Sequence, residues 1–335
     1  MAARPRVLAQ VAHSSTDHQP SALDTQSLQR WRTRTQTGFF LLFLLAPVLN
    51  LLRFDLYETQ LWFLGMRWSL GIGDFMAGKI DAAQVGAAIL LRGILPGVAF
   101  VTAFMVVAYR WGRLYCGWLC PHFSVVELLN RLLHRACGKL SLWDASPTPR
   151  AGVTPQKRYW PLFFLSCVLM GFLWAVTLLT YMLPPDVIWG NLLHLSLTAN
   201  QARFIGVGTL VFTLEFTLAR HLFCRFGCAV GYFQSVAWMA NPRGMVVAFE
   251  RNRARDCKSC DMPRGSACDN ACPMRLNPRN IKRMMFSCVQ CGQCLSACDA
   301  SQSAQQRSPT LEWKVGLDAM RETLHQRQQD REEKR

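Results

Sequence analysis

Cys288, Cys291, Cys294 and Cys298 follow one another as C-x2-C-x2-C-x3-C, the run with which bacterial ferredoxins hold cubane clusters. Thiolates at successive two-residue gaps wrap three corners of a cubane, whereas zinc sites pair two knuckles across a longer spacer. Upstream, Cys257, Cys260, Cys268 and Cys272, followed by Pro273, repeat the run with its central gap widened to seven residues. In two-cluster ferredoxins the fourth cysteine of each run ligates the other run's cluster. That rule groups Cys257, Cys260, Cys268 and Cys298 around one [4Fe–4S] cluster, and Cys288, Cys291, Cys294 and Cys272 around a second. Crossed ligation would make folding of this segment depend on its metal. Spacing favours iron, although a four-thiolate site also accepts zinc.

Two further pairs have the form C-x3-C: Cys116 with Cys120, followed by Pro121, and Cys224 with Cys228. Cysteines at i and i+4 on a helix share a face. Four such thiols brought together would suit a third metal site, with copper as one soft candidate, or a redox dithiol. The alternative is that they pack as small apolar residues. Cys167 lies inside an apolar run and reads as packing, while Cys137 has no evident partner. Glu215 lies in another apolar run, where an ionisable group marks function by default. It would accept a proton from a quinol or hydrogen-bond between helices. Arg92 should snorkel to the opposite interface. A b-type haem needs histidines facing each other in mid-membrane. His122, His134, His194 and His221 all fall at run ends or in loops and read as surface residues.

The elements that must position these groups are mostly apolar. The chain is 51% hydrophobic and 17% charged, yet carries a net charge of +16, a combination that suits a membrane protein with basic loops on one side. A nucleic-acid partner would need a basic stripe on one folded surface, whereas here Arg and Lys flank apolar runs. Four runs reach or approach spanning length, about 20 residues: 38–52, 84–109, 159–183 and 204–219. The stretch 61–76 contains Arg67, Asp74 and three glycines and reads as an outer interfacial loop. Between the second and third runs lie Arg110, Arg113, Arg131, Arg135, Lys139, Arg150, Lys157 and Arg158, while 184–201 holds no Lys or Arg. That asymmetry places both termini in the cytoplasm, where cysteines bind metal more often than they form disulfides.

The expected architecture is therefore an α-helical integral membrane bundle of four transmembrane helices, residues 38–240, with a small α+β two-cluster ferredoxin-like module over 241–300. Residues 1–37 read as a disordered cytoplasmic arm rather than a signal peptide. Residues 301–335 read as a charged cytoplasmic tail, exposed helix or disorder. The amphipathic stretch 122–137, with Val126, Leu129 and Leu133 opposite Glu127, Asn130 and Arg131, is expected to lie on the inner membrane surface.

At these motifs the chain resembles the cytochrome oxidase accessory family CcoG, also called FixG or RdxA, within the membrane polyferredoxins that include NapH and the C-terminal part of NosR. The matching strings are Phe54-Asp55-Leu56, Gly112 to Pro121 (GRLYCGWLCP), Phe233-Gln234-Ser235-Val236, and an Ala297-Cys298-Asp299 ending. The resemblance implies electron transfer through cytoplasmic clusters at a bacterial inner membrane. It adds copper reduction for oxidase assembly in CcoG and quinol oxidation in NapH and NosR. Three features depart from CcoG: Ala229 replaces the Pro expected after the second C-x3-C pair, the first ferredoxin half is widened, and CcoG-type proteins continue into a further span and an immunoglobulin-like domain. Donor (quinol or a cytoplasmic reductant) and acceptor (copper or a respiratory complex) are left open, as is a non-redox, metal-stabilised scaffold.

Overall fold

The computed structural model describes residues 25–332 apart from 58, 59, 151, 261 and 263. The expected arm lies outside these as far as residue 24. From Thr25 the chain is already helical, in α1 (Thr25–Val48), which corrects the reading of 25–37 as disordered. The polar residues there are not solvated, because Arg32 and Gln36 are buried against other elements. The apolar half of α1, residues 38–48, rises only about 16 Å at 1.5 Å per residue, about half the hydrocarbon thickness. Three helical stretches are long and apolar enough to cross a membrane: Ala82–Trp111, Tyr159–Met182 and Ala199–Ala219. By length and composition, three of the four expected spans are found among the described residues, and α1 is not one of them.

Residues 52–76 are not a loop. Strands β1 (Leu52–Asp55), β2 (Gln60–Phe63) and β3 (Met66–Trp68) form an antiparallel sheet in that order, followed by α2 (Ile72–Met76). Leu64 and Gly65 both take positive φ, 50° and 76°, the backbone that a two-residue hairpin turn requires. A leucine in that position hides the turn from a reader of sequence. Trp62 is held between the guanidiniums of Arg53 and Arg67, 5.2 and 5.3 Å from its ring centre.

The first long helix begins as α3 (Ala82–Ala88), capped by a reciprocal Asp81–Gln84 box. It passes through a π-turn at Ile89–Ile94 and continues as α4 (Leu95–Trp111). Pro96 has no N–H to offer the carbonyl of Arg92 four residues back. The indole of Trp68 donates to that oxygen instead, at 2.9 Å. The Arg92 side chain reaches Ser69 O in the segment after the sheet, far from Glu215 as expected.

Short α5 (Leu114–Trp118) leads into α6 (Pro121–Cys137), then α7 (Tyr159–Met182), α8 (Pro185–Leu193) and α9 (Ala199–Leu214), which runs into a second π-turn at Glu215–Ala219. Helices α7 and α9 pack closely. A Cβ on Gly171 would sit 2.7 Å from Thr213 Oγ1, so the small residue sets the approach of the two backbones. Helix α6 is covered on both faces, which corrects its expected place on the membrane surface. Val125, Leu129 and Leu133 pack with Phe163 and Cys167 of α7, while Glu127 and Asn130 are buried in polar contacts. Cys167 is fully buried, its thiol 3.8 Å from Phe216 O, and Cys137 donates to Leu133 O of its own helix. Helix α10 (Ala229–Ala240) packs against α4.

The ferredoxin-like segment contains β4 (Val246–Phe249), α11 (Ala267–Ala271) and α12 (Gln293–Ser303), with 3-10 turns at Arg251–Ser259 and Lys282–Met285. It does not end at residue 300. Strand β5 (Leu311–Lys314) pairs antiparallel with β4, Val247 opposite Trp313, and α13 (Leu317–Glu332) follows. Residues assigned to a free tail thus complete the module, because Leu311 and Thr310 are buried against its cysteines.

Candidate metal centres

One cysteine of the upstream run shares a cavity with three of the downstream run. Cys272, Cys288, Cys291 and Cys294 line one cavity, whose other walls include Met274, Leu276, Met285 and Val289. On the far side of Cys294, Cys268 and Cys298 pack with Val247, Leu295 and Leu311. Thr310 Oγ1 lies 3.5 Å from the thiol of Cys298 and 3.9 Å from that of Cys257. Ser301 donates to Cys260 and Ser266 lies 3.1 Å from the Cys268 thiol. Hydroxyl groups facing sulfur fit a set whose members are to carry negative charge.

The C-x3-C pairs do not lie on continuous helix faces. In each pair a helix break separates the two cysteines. Cys116 sits inside α5 and Cys120 is the residue capping α6, where Pro121 starts the helix without an N–H to satisfy. Cys224 sits in a π-turn at Phe223–Gly227, and Cys228 caps α10, its sulfur accepting from Gly231 N. Cys116 and Cys224 are buried in the same apolar cluster as Cys272 and Cys291, with Cys120 and Cys288 packed against it. The contact with the module is backbone-close. A Cβ on Gly117 would lie 2.1 Å from Val289 O, and Trp118 donates to Gln290 O at 2.9 Å.

These surroundings oppose thiolate formation in the absence of a cation. Burial pushes Cys120 up to about 12, with neighbouring Cys116 acting in the same direction. Cys224 is raised well above the ordinary thiol range by burial and then by Cys120 and Cys116. In the module, burial takes Cys272 to about 12 and Cys268 to about 11. Thiols so placed stay neutral unless positive charge is supplied among them, and a metal centre supplies it. Among the described residues, no three His, Cys, Asp or Glu side chains meet closely enough to grip a single ion. The donors are soft sulfurs, the ligand type that iron–sulfur clusters take.

Sequence reasoning missed several groups at this interface. His122, expected at the surface, is half-buried among Phe216, Phe223 and Trp174 and faces Glu215, with Nε2 and Oε1 3.4 Å apart. His221 is buried, and that burial lowers its pKa to about 4. His134 is buried too, its ring 2.7 Å from Thr148 O, whereas His194 is exposed as expected. Arg113 was counted only as a loop cation, yet it is fully buried and donates to Cys224 O at 2.6 Å. Its place inside the string GRLYCGWLCP was the available signal.

The chain combines three helices long and apolar enough to cross a membrane with buried soft-sulfur donors. Residues 94–139 match a family model described as a 4Fe-4S binding domain, and that range holds Cys116 and Cys120 rather than the module cysteines. The chain is 23% identical over 222 residues to the putative electron transport protein YccM of Escherichia coli (strain K12), covering 62% of this chain and 56% of that protein. It is 22% identical over 222 residues to the ferredoxin-type protein NapH of the same organism, covering 62% and 68%. Against protein RdxA of Cereibacter sphaeroides it is 25% identical over 211 residues, covering 56% and 40%. The chain thus spans little more than half of the first of these relatives. No solved structure matches it. These similarities, with the 4Fe-4S match, are consistent with the NapH/NosR-type polyferredoxin group.

Proposed function

We propose that the protein carries single electrons along three sulfur-lined centres, from two [4Fe–4S] clusters in the cytoplasmic module to a third metal centre at the membrane face. The observation that carries this reading is the continuity of the sets. Cys294 adjoins Cys298 and Cys268, and Cys272 and Cys291 share an apolar cluster with Cys116 and Cys224. In it, Cys257, Cys260, Cys268 and Cys298 hold one cluster, and Cys272, Cys288, Cys291 and Cys294 hold the other. When bound, the clusters supply the redox chemistry, and the chain supplies position, dryness and charge. Cys116, Cys120, Cys224 and Cys228 hold the third centre, for which the 4Fe-4S match over 94–139 favours iron. Glu215, facing His122, adjoins this end of the path and is the residue placed to take up a proton there.

Replacing Cys116 or Cys224 with Ser is expected to remove most electron transfer to an artificial acceptor, and the metal of the third centre with it. The iron of the module should stay. Replacing both should cost little more than either alone, because members of one unit are not additive, and Cys167→Ser should change little. Single replacements indistinguishable from Cys167→Ser would remove the third centre from the path, and copper in place of iron there would favour metal reduction as the function.

The orientation follows from charge. Arg110 to Arg158 supply the basic loop, and 184–201 has none, so the module faces the cytoplasm of a bacterial inner membrane. Reporter fusions after Arg150 and after Arg335 should read as cytoplasmic and one at Asn191 as external. A module found outside would overturn the compartment argument.

A further inference from the structure

Arg113 has a property that the electron path does not by itself require. Its side chain is 1% exposed, and among the described residues no carboxylate is paired with it. One Nη donates to the Cys224 carbonyl, while Nε has no hydrogen-bond partner. The room for it is made by Gly231, where a Cβ would lie 2.1 Å from the same Nη. A guanidinium remains charged at any physiological pH, and a buried charge without a counter-ion is strongly destabilising. The groups packed at this corner are thiols, Cys116 and Cys224 in one apolar cluster with Cys288 against it. Gln234 closes the same corner, donating to Cys116 at 3.4 Å.

We infer that Arg113 is the fixed counter-ion of the third centre, a positioning residue whose charge, held against the backbone of Cys224, raises the reduction potential of that centre and of the cluster of neighbouring Cys288. The inference rests on the reading of the C-x3-C quartet as a metal centre. Reduction adds one electron, taken from a low-potential donor, and so one negative charge to the ligand set. A cation at that distance in a dry site favours the reduced form. Without Arg113, both the third centre and the cluster of Cys288 should become harder to reduce, the third more so. The guanidinium would also make the two potentials interdependent, because each reduction draws on the same charge.

The test uses the full chain, purified anaerobically in detergent and titrated electrochemically with EPR detection beside iron analysis. Arg113→Gln should keep the module's iron and shift the third centre's midpoint negative, with the reduced-to-oxidised ratio at fixed potential falling tenfold or more, about 59 mV for one electron. Arg113→Lys, which keeps the charge, should restore most of that shift. Should Arg113→Gln fail to fold, Arg113→Met provides the same reading, since it removes the charge without leaving a polar group to bury. Its midpoint should also move negative. Metal-replete variants with unchanged midpoints would overturn the counter-ion role while leaving the third centre standing. A wild-type protein whose iron content and EPR signals equal those of Cys116→Ser would instead sink the third centre, and the counter-ion role with it.

Discussion

Removing iron is expected to open the chain from Arg251 to Ser303 to protease while leaving α7 and α9 protected. Anaerobic protein should first show close to eight iron atoms in the module, the content of two cubanes. Chelation should then abolish the visible charge-transfer absorption and the module's resistance together. The reason lies in how little else holds this segment. Between β4 and β5 the regular structure is one full helix, α12, with the five-residue α11 and two 3-10 turns. Segments this small need metal or disulfides to reach stability. The buried cysteines act in the same direction. Cys272, Cys291 and Cys294 face one cavity, and without metal their thiols are apolar walls with no atoms between them. Iron-free protein with an unchanged cleavage pattern, or stoichiometric zinc with negligible iron, would refute the cluster assignment.

Spacing alone carries the grouping proposed for the module's cysteines. A run of two-residue gaps fixes which thiols can meet on one side of a cubane, and the crossed fourth ligand follows from the repeat. The surrounding elements were less legible because their signals are non-local. Residues Thr25 to Thr37 look like a solvated arm until Arg32 is seen donating to Gly117 O and Gln36 to the same oxygen. No local pattern announces a partner that distant in sequence. The tail failed for the same reason, since Leu311 and Trp313 complete a sheet only through β4. His122 was assigned to the surface as the end of a run, but the chain reverses at Cys120 and carries it back under Trp174.

The C-x3-C pairs show where the expected local geometry differs from the structure. An i, i+4 spacing on one continuous helix would turn both sulfurs outward along a single face. Pro121 and the capping role of Cys228 break the helices instead. The second cysteine of each pair thereby heads a new helix. The equivalence of the two pairs, each with a buried first cysteine and a capping second one, is the structural form of a repeat that the sequence displays only as spacing.

Glu127→Ala is expected to loosen the attachment of the module to the membrane helices by about 3–5 kcal/mol, the usual cost of breaking a buried ion pair by removing one partner. Glu127 lies on α6 and is buried, and each of its oxygens is engaged. One accepts from Arg32 and, at 2.7 Å, from Gln36 of α1. The other accepts from Gln293, the first residue of α12, at 2.5 Å. A single carboxylate therefore ties the N-terminal helix, the amphipathic helix and the cluster-bearing helix at one point. Arg32 has further acceptors in Gly117 O and Gln29 Oε1, but no other carboxylate within 4.0 Å among the described residues. Alanine would leave that guanidinium buried and unneutralised. Glu127→Gln should be nearly as costly, because its amide nitrogen would face a donor on Gln36 or Gln293. Replacing both charged partners, Arg32→Met with Glu127→Leu, should recover much of the loss, since the buried charge is then removed with its partner. The readout is thermal loss of the cluster absorption in detergent, with the midpoint falling steeply for the single variants and largely restored for the double. Single variants within about 1 kcal/mol of the parent, the usual range for an exposed pair, would show that the junction is solvated and that α1 does not hold the module in place.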